Sequence, residues 1–392
     1  MINEFPKDFL WGAAVSAYQT EGGNTHCDWH EWEGKGHGKE PSGQACRHYE
    51  LYEKDWDLAA DLKLNSVRLS VEWSRIEPQE GQFDQKEIEH YVDVVRSLKK
   101  RGIEPLLTLH HFTNPLWLSK RGGWLHPRAP AYFRRFTEKI VPFLSPYVRY
   151  WATINEPNVY AYCGYVECKW PPQERSWIKA VMVQDNFMRG HVEAYRAIKK
   201  IYSVNKLPSP MVSLAQHLRG FLVSGSNPVH RLRARFNDYF FNFRFLDTVT
   251  QLKTMDYIGV NYYTCEFFPP LKKELPLNNL GWQIYPEGLF LLLLRLKRYK
   301  LPVMVLENGI CTDDDKKRQE FIREHISSVK QAMLRGVNVT GYFYWSLIDN
   351  FEWEQGFGPR FGLIEVDYST YQRRVRESAL KYSEEICRNR PS

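Results

Sequence analysis

Eight short runs rich in β-branched, aliphatic and aromatic residues alternate with longer segments of helical periodicity, and this alternation constrains the fold more than any other feature. The runs lie at residues 9–16, 66–71, 104–110, 150–155, 211–215, 257–262, 303–307 and 340–345. Between them, helical patterns occupy 86–100, 132–144, 177–202 and 319–335, with a last one at 372–387. Parallel strands need long return connections, so this order predicts a parallel sheet with crossover helices. Eight such units predict a closed (β/α)8 barrel, the TIM barrel of the α/β class. A prior of ~150 residues per domain would divide the 392 residues, but barrels of this kind routinely exceed it. With 43% hydrophobic composition, one core is expected, and residues 1–392 read as a single domain. The rival is a doubly wound open sheet, but no GxGxxG follows the first strand and no Walker A sequence occurs. Segments 224–228 and 269–280 read as long loops, the second on the rim after the sixth strand. Phe236, Phe240, Phe243 and the Leu289–Leu296 stretch recur at helical spacing and are expected to pack in the core.

Charge narrows the partners. The 53 Lys and Arg against 46 Asp and Glu leave +7, yet the basic residues are dispersed among acids, and pairs such as Lys297-Arg298 and Arg373-Arg374 read as solvated helix surface. No nucleic-acid partner is expected. The strongest apolar run, Leu289 to Leu294, ends at Arg295 and is too short to span a bilayer. The segment Met1-Ile2-Asn3-Glu4-Phe5-Pro6-Lys7 lacks the basic and apolar regions of a signal peptide, so no membrane partner is expected. Seven cysteines (Cys27, Cys46, Cys163, Cys168, Cys265, Cys311, Cys387) form no CxxC pair, and an odd number cannot all pair within one chain. A reducing, cytoplasmic location is the expectation. His26, Cys27, His30, Cys46 and His48 match no zinc spacing and are interleaved with Trp29, Trp32 and Tyr49. Neither a metal nor a cofactor is expected.

Two acids stand out by context. Thr153-Ile154-Asn155-Glu156-Pro157 and Leu306-Glu307-Asn308-Gly309 each close a hydrophobic strand with a carboxylate, and each carboxylate has an Asn beside it able to bond a hydroxyl. Barrel active sites lie at the carboxyl ends of the strands. Physical reasoning leaves two readings open: a paired-carboxylate site acting across one sugar bond, or two unrelated structural acids.

Motifs along nearly the whole chain carry a resemblance. Phe9-Leu10-Trp11-Gly12-Ala13-Ala14, Gln19-Thr20-Glu21-Gly22, Arg68-Leu69-Ser70-Val71-Glu72-Trp73-Ser74-Arg75-Ile76 and Thr108-Leu109-His110-His111-Phe112 come first. Gly259-Val260-Asn261-Tyr262-Tyr263, Tyr344-Trp345-Ser346-Leu347-Ile348-Asp349-Asn350-Phe351-Glu352-Trp353 and Arg360-Phe361-Gly362-Leu363 follow the first acid or the second. In this order the chain resembles glycoside hydrolase family 1, the β-glucosidase family. The resemblance implies Glu156 as general acid/base and Glu307 as nucleophile of a retaining double displacement, with carboxyls ~5–5.5 Å apart. It implies catalytic support from Arg68, Tyr263, Asn155 and Asn261, where Arg68 pairs with Glu307 to keep it ionised at neutral pH and Asn155 holds the sugar 2-hydroxyl. It implies sugar binding by Gln19, His111, Trp345, Glu352, Trp353 and Phe361. Without it, Arg68 reads as a structural ion pair, Tyr263 as a packed ring, Asn261 as a turn residue and each Trp as core or rim.

The expected activity is that of an exo-β-glycosidase on a small-molecule β-glycoside. A β-glucosidase is foremost, with β-galactosidase or β-fucosidase activity beside it. Glu352 as a carboxylate should repel a 6-phosphate, and the Ser and Lys pattern of the 6-phospho branch is absent from 350–361. A transglycosylase differs only in how well an acceptor competes with water, and a non-catalytic binding barrel would be expected to lack one acid. Two departures from the family pattern stand: Leu306 replaces the usual Thr before the nucleophile, and the chain is short between Glu156 and Asn261 and from there to Glu307. The first removes a supporting hydrogen bond and bears on rate; the second opens the aglycone side. Oligomeric state is not legible.

Overall fold

Eight strands pair in parallel, each with the next, and the first closes on the last. They are β1 Leu10–Ala14, β2 Ser66–Ser70, β3 Glu104–His110, β4 Tyr150–Asn155, β5 Met211–Val223, β6 Ile258–Phe268, β7 Val303–Asn308 and β8 Val339–Trp345. The computed structural model describes residues 5–271 and 275–390, and residues 272–274 of the expected rim loop lie outside the described residues. With helices between the strands, the chain is a (β/α)8 barrel, as its alternation implies. No helix among the described residues is long and apolar enough to cross a membrane.

Inside the barrel, Leu10, Leu106, Ala152, Ala215, Tyr257, Met304, Leu306 and Phe343 form a closed apolar layer. Glycine makes that layer possible. A Cβ on Gly259 would stand 2.5 Å from Leu306 Cδ1 and 2.3 Å from the Leu214 carbonyl. Leu306 therefore fills the floor beneath the site, where the family pattern has a polar residue. The larger core lies between barrel and helices, gathered by amphipathic segments such as Gln85–Lys100, whose start Asp84 caps by accepting from the amides of Lys86 and Glu87.

Four expectations need correction. β5 and β6 run to Val223 and Phe268, beyond the expected 215 and 262, because both strands continue pairing past the barrel rim. Only residues 224–227 then remain as a loop before the helix Pro228–Asn237. The terminal helix is Glu377–Asn389. Residues Arg373–Val375 are instead a strand, β10, antiparallel to β9 (Ile364–Val366), with Arg373 drawn into a buried pair with Asp55 at 2.8 Å. Phe236 and Phe240 are 58% and 40% exposed, while Phe243, Leu289, Leu292, Leu293 and Leu296 are buried as expected. A π-helical turn at Asp238–Phe243 adds a residue to the turn, so Phe243 swings under cover while Phe236 and Phe240 stay outside.

Around the tempting His/Cys cluster, side chains have ordinary partners. Cys27 accepts the His30 amide at a helix start, His48 Nδ1 lies 2.7 Å from Asp55, and Trp29 and Trp32 sit in the core. All seven cysteines are unbonded.

Candidate active site

Seven of the eight strands, or the segments after them, line one cavity of about 890 Å³ at their carboxyl ends, and β2 supports it from behind through Arg68, which bonds the lining residues Glu307 and Asn155. Gln19 follows β1, Arg68 lies in β2, His111 follows β3, Asn155 and Glu156 end β4, and His217 stands in β5. Asn261 and Tyr263 come from β6, Glu307 from β7, and Trp345 with Glu352 and Trp353 from the end of β8 and beyond.

Glu307 is gripped on both oxygens. Arg68 Nη1 donates to Oε1 at 2.5 Å and the Tyr263 hydroxyl donates to Oε2 at 2.6 Å. Arg68 is only 1% exposed, and its other donors reach Asn155 Oδ1 (2.6 Å), Thr108 Oγ1 (3.1 Å) and the Leu306 carbonyl (3.3 Å). Every face of this buried cation meets an acceptor, as burial of a charge demands. Burial nevertheless pushes the Glu307 carboxyl up from the usual carboxylate range. Glu156 pushes it the same way, against Arg68 and Tyr263. Desolvation is the largest of these influences, and the Arg68 guanidinium with the Tyr263 hydroxyl favours the charged form against it.

Glu156 stands at the start of the helix Pro157–Tyr165 with a left-handed backbone, φ 42°, which turns its side chain into the cavity. A non-glycine residue holds such a conformation at a cost of order 1 kcal/mol, and such residues gather at functional sites. Asn261 Nδ2 donates to Glu156 Oε1 at 2.7 Å, and His217 Nδ1 lies 3.1 Å from the same oxygen. Asn261 also donates to Asn155 Oδ1 (3.1 Å), so Asn155, Arg68, Glu307, Asn261 and Glu156 form one connected set.

The sugar-binding candidates gather on the opposite side. Trp345 Nε1 donates to Glu352 Oε1 at 3.2 Å. His111 faces Asn155 Nδ2 through Nε2 at 3.2 Å, and burial pushes its pKa well below the usual imidazole value. Neutral, and accepting at Nε2, it carries its proton on Nδ1, which is buried without a partner among the described residues. Its ring lies nearly parallel to Trp345 and Trp353. Gln19 is held by Ser16, Asn350 and the Phe351 carbonyl at 2.6–2.9 Å, fixing its amide. Phe361 packs edge-on to Tyr263 with centroids 6.3 Å apart. Burial pushes the Glu352 carboxyl up to about 8, with the Trp345 N–H opposing the rise.

The structure thus brings together all twelve residues singled out in the sequence and adds His217. His217 lies beyond the sequence reading because the fifth expected strand ends at Ala215, two residues before it, whereas β5 runs on to Val223. Trp282, from the rim segment after β6, also reaches Tyr263 (5.7 Å). The arrangement offers two carboxyls on facing strands, one gripped by a cation, above polar groups and aromatic faces suited to a pyranose.

The sequence profile described as Glycosyl hydrolase family 1 matches residues 1–251 and 242–391. A β-galactosidase of Pyrococcus woesei is 30% identical over 497 aligned residues, covering 98% of this chain and 97% of the relative. β-Glucosidase A of Thermotoga maritima is 29% identical over 440, covering 99% of each. Among solved structures, a β-glycosidase from Pyrococcus horikoshii superposes with a TM-score of 0.90 at 38% identity, covering 99% of this chain and 95% of that one.

Proposed function

The chain belongs to glycosyl hydrolase family 1, and from that premise we propose that it is a retaining exo-β-glycosidase. Its substrates are non-phosphorylated, non-reducing-terminal β-glucosyl residues foremost, then β-galactosyl and β-fucosyl residues. One observation carries the reading: a carboxyl gripped by Arg68 and Tyr263 and a second carboxyl held by Asn261 and His217 share one cavity.

Each residue then has a role. Ionised Glu307 attacks the anomeric carbon while Glu156 gives its proton to the departing glycosidic oxygen. The Glu307 ester is neutral, and Glu156, now a carboxylate, takes a proton from the water that attacks the same carbon and releases Glu307. Asn155 holds the 2-hydroxyl, whose contact strengthens as positive charge develops. Gln19, His111 and Glu352 meet other hydroxyls, Trp345 and Trp353 cover the apolar sugar face, and Phe361 backs Tyr263. Residues 1–392 act as one domain, and the cytoplasm is the proposed location, supported by the unbonded cysteines.

The test is hydrolysis of aryl β-glucoside, β-galactoside and β-fucoside with the first-formed sugar followed by NMR. The β-anomer should appear first; the α-anomer appearing first overturns double displacement.

A pH dependence follows from Glu307. It must be ionised in the free enzyme, and its pKa is raised, so kcat/KM should fall on acidification at a pH above the ordinary Glu value of about 4.3. An acidic limb with its midpoint near 4 contradicts this.

Discrimination against a 6-phosphate follows from the sugar side. His111 is neutral, Arg68 is already engaged by Glu307 and Asn155, and Glu352 near the sugar becomes an anion above about pH 8, so a phosphate there meets a growing like charge. Aryl β-glucoside should exceed its 6-phosphate in kcat/KM by on the order of 10²-fold or more at pH 7, and by more still as Glu352 ionises. Faster turnover of the phosphorylated substrate contradicts this reading of the pocket.

A further inference from the structure

Past Glu156, away from Gln19 and Glu352, the cavity runs onto a wall built by β5, β6 and the helical segment 228–243. If Glu156 protonates the leaving group, this wall receives the aglycone. Arg219 lies two positions beyond His217 on β5 and lines the cavity. Its guanidinium carbon stands 5.3 Å from the Phe241 ring centroid, and its Nε is buried with no hydrogen-bond partner among the described residues. Arg233 also lines the cavity, 5.2 Å from the Phe268 centroid. Phe221 joins the two rings, with centroids 5.8 Å from Phe241 and 6.3 Å from Phe268.

Neither arginine forms an ion pair or a side-chain hydrogen bond among the described residues. Two nearby acids are otherwise engaged, Glu167 with Lys169 at 2.9 Å and Glu354 accepting from Trp170 Nε1 at 2.5 Å, while Glu266 pairs with no cation among the described residues. Glu266 stands on the same wall and reaches neither guanidinium. A ring face attracts a guanidinium but gives its N–H groups no acceptor. Arg219 is half-buried with its Nε buried and unpartnered among the described residues, while Arg233 is exposed, so an anionic or acceptor-rich group in the cavity gains most at Arg219.

Resting on the glycosidase reading above, we propose that the aglycone subsite selects β-glycosides of aromatic acids. The aglycone ring packs against Phe241 and Phe268, and its carboxylate accepts from Arg219, with Arg233 at the outer rim. A guanidinium fork matches a carboxylate bidentately, and flat aromatic walls favour a flat leaving group. The selection is kinetic: it acts on the first step, where the aglycone is still attached, and adds no covalent chemistry.

The experiment compares kcat/KM for 4-carboxyphenyl and 4-carbamoylphenyl β-glucoside in the wild type and in Arg219→Gln. Intrinsic leaving-group differences cancel when the acid-to-amide ratio is compared between proteins. That ratio should fall about tenfold in the variant, the size expected for a lost charge-assisted hydrogen bond. In the wild type it should also decline as salt is raised. Arg219→Lys, which keeps the charge but not the fork, should fall between the two. An unchanged ratio in Arg219→Gln, or, should that variant not fold, a wild-type ratio insensitive to salt, overturns the proposal and leaves the glycosidase reading intact. Failure of the wild type to cleave either glucoside overturns the glycosidase reading itself.

Discussion

Glu307→Gln should lose kcat by on the order of 10⁴-fold or more on an aryl β-glucoside, and Glu156→Gln by about 10²- to 10⁴-fold, with both proteins still folded. The larger loss belongs to Glu307 because an amide cannot form the glycosyl ester that divides the reaction into two easier steps. The Glu156 loss should depend on the leaving group: severe for an alkyl glucoside, slight in the first step for a dinitrophenyl glucoside that departs without a proton. Folding should survive. In Glu307→Gln, Arg68 keeps Asn155, Thr108 and the Leu306 carbonyl as acceptors, and the amide keeps one oxygen. Circular dichroism and a melting curve check the fold, and steady-state rates on the two glucosides check the roles. Near wild-type turnover by either variant contradicts the assignment.

A second large effect is expected at the same strand end, at Gly309, directly after β7. A Cβ there would sit 1.8 Å from the Trp345 carbonyl oxygen and 2.8 Å from its carbon. Both atoms are backbone, so no side chain can swing aside. Gly309→Ala must move either the end of β7, which carries Glu307, or the end of β8, which carries Trp345. A forced contact of this kind in a packed site costs about 3 kcal/mol or more. Denaturant unfolding should show that loss, and any folded fraction should have reduced kcat. Unchanged stability and activity contradict the close approach of the two strand ends.

Much of this was legible because periodicity and motif agreed. The strands β3 and β4 were read at their true bounds, since each ends where a polar residue enters the site: His110 before His111, Asn155 before Glu156. The reading failed where the chain leaves the barrel. β5 and β6 continue as a paired ribbon beyond the rim, and their mixed composition, with Arg219, Gly220 and Glu266, hides a strand from alternation. His217 was lost with that extension, and so were the aglycone-side arginines. Phe236 and Phe240 misled because helical spacing says that residues share a face but not which way the face points; the π turn settled it. The effect of burial on Glu307 and Glu352 was not legible. A sequence names the charges in a site, whereas their states depend on burial, which belongs to the folded cavity.

The central claim is that Glu307 forms a covalent bond to the sugar, and a 2-deoxy-2-fluoro β-glucoside with a dinitrophenyl leaving group tests it most directly. Fluorine at C2 destabilises the positive charge at the anomeric carbon and removes the hydroxyl that Asn155 would hold, so both steps slow. The leaving group restores only the first, and the glycosyl-enzyme should accumulate as activity decays with time. Peptide mapping should find the added mass on Glu307, within the peptide containing β7. Label on Glu156 contradicts the assignment of roles, and the absence of any adduct together with an inverted product contradicts the double displacement itself.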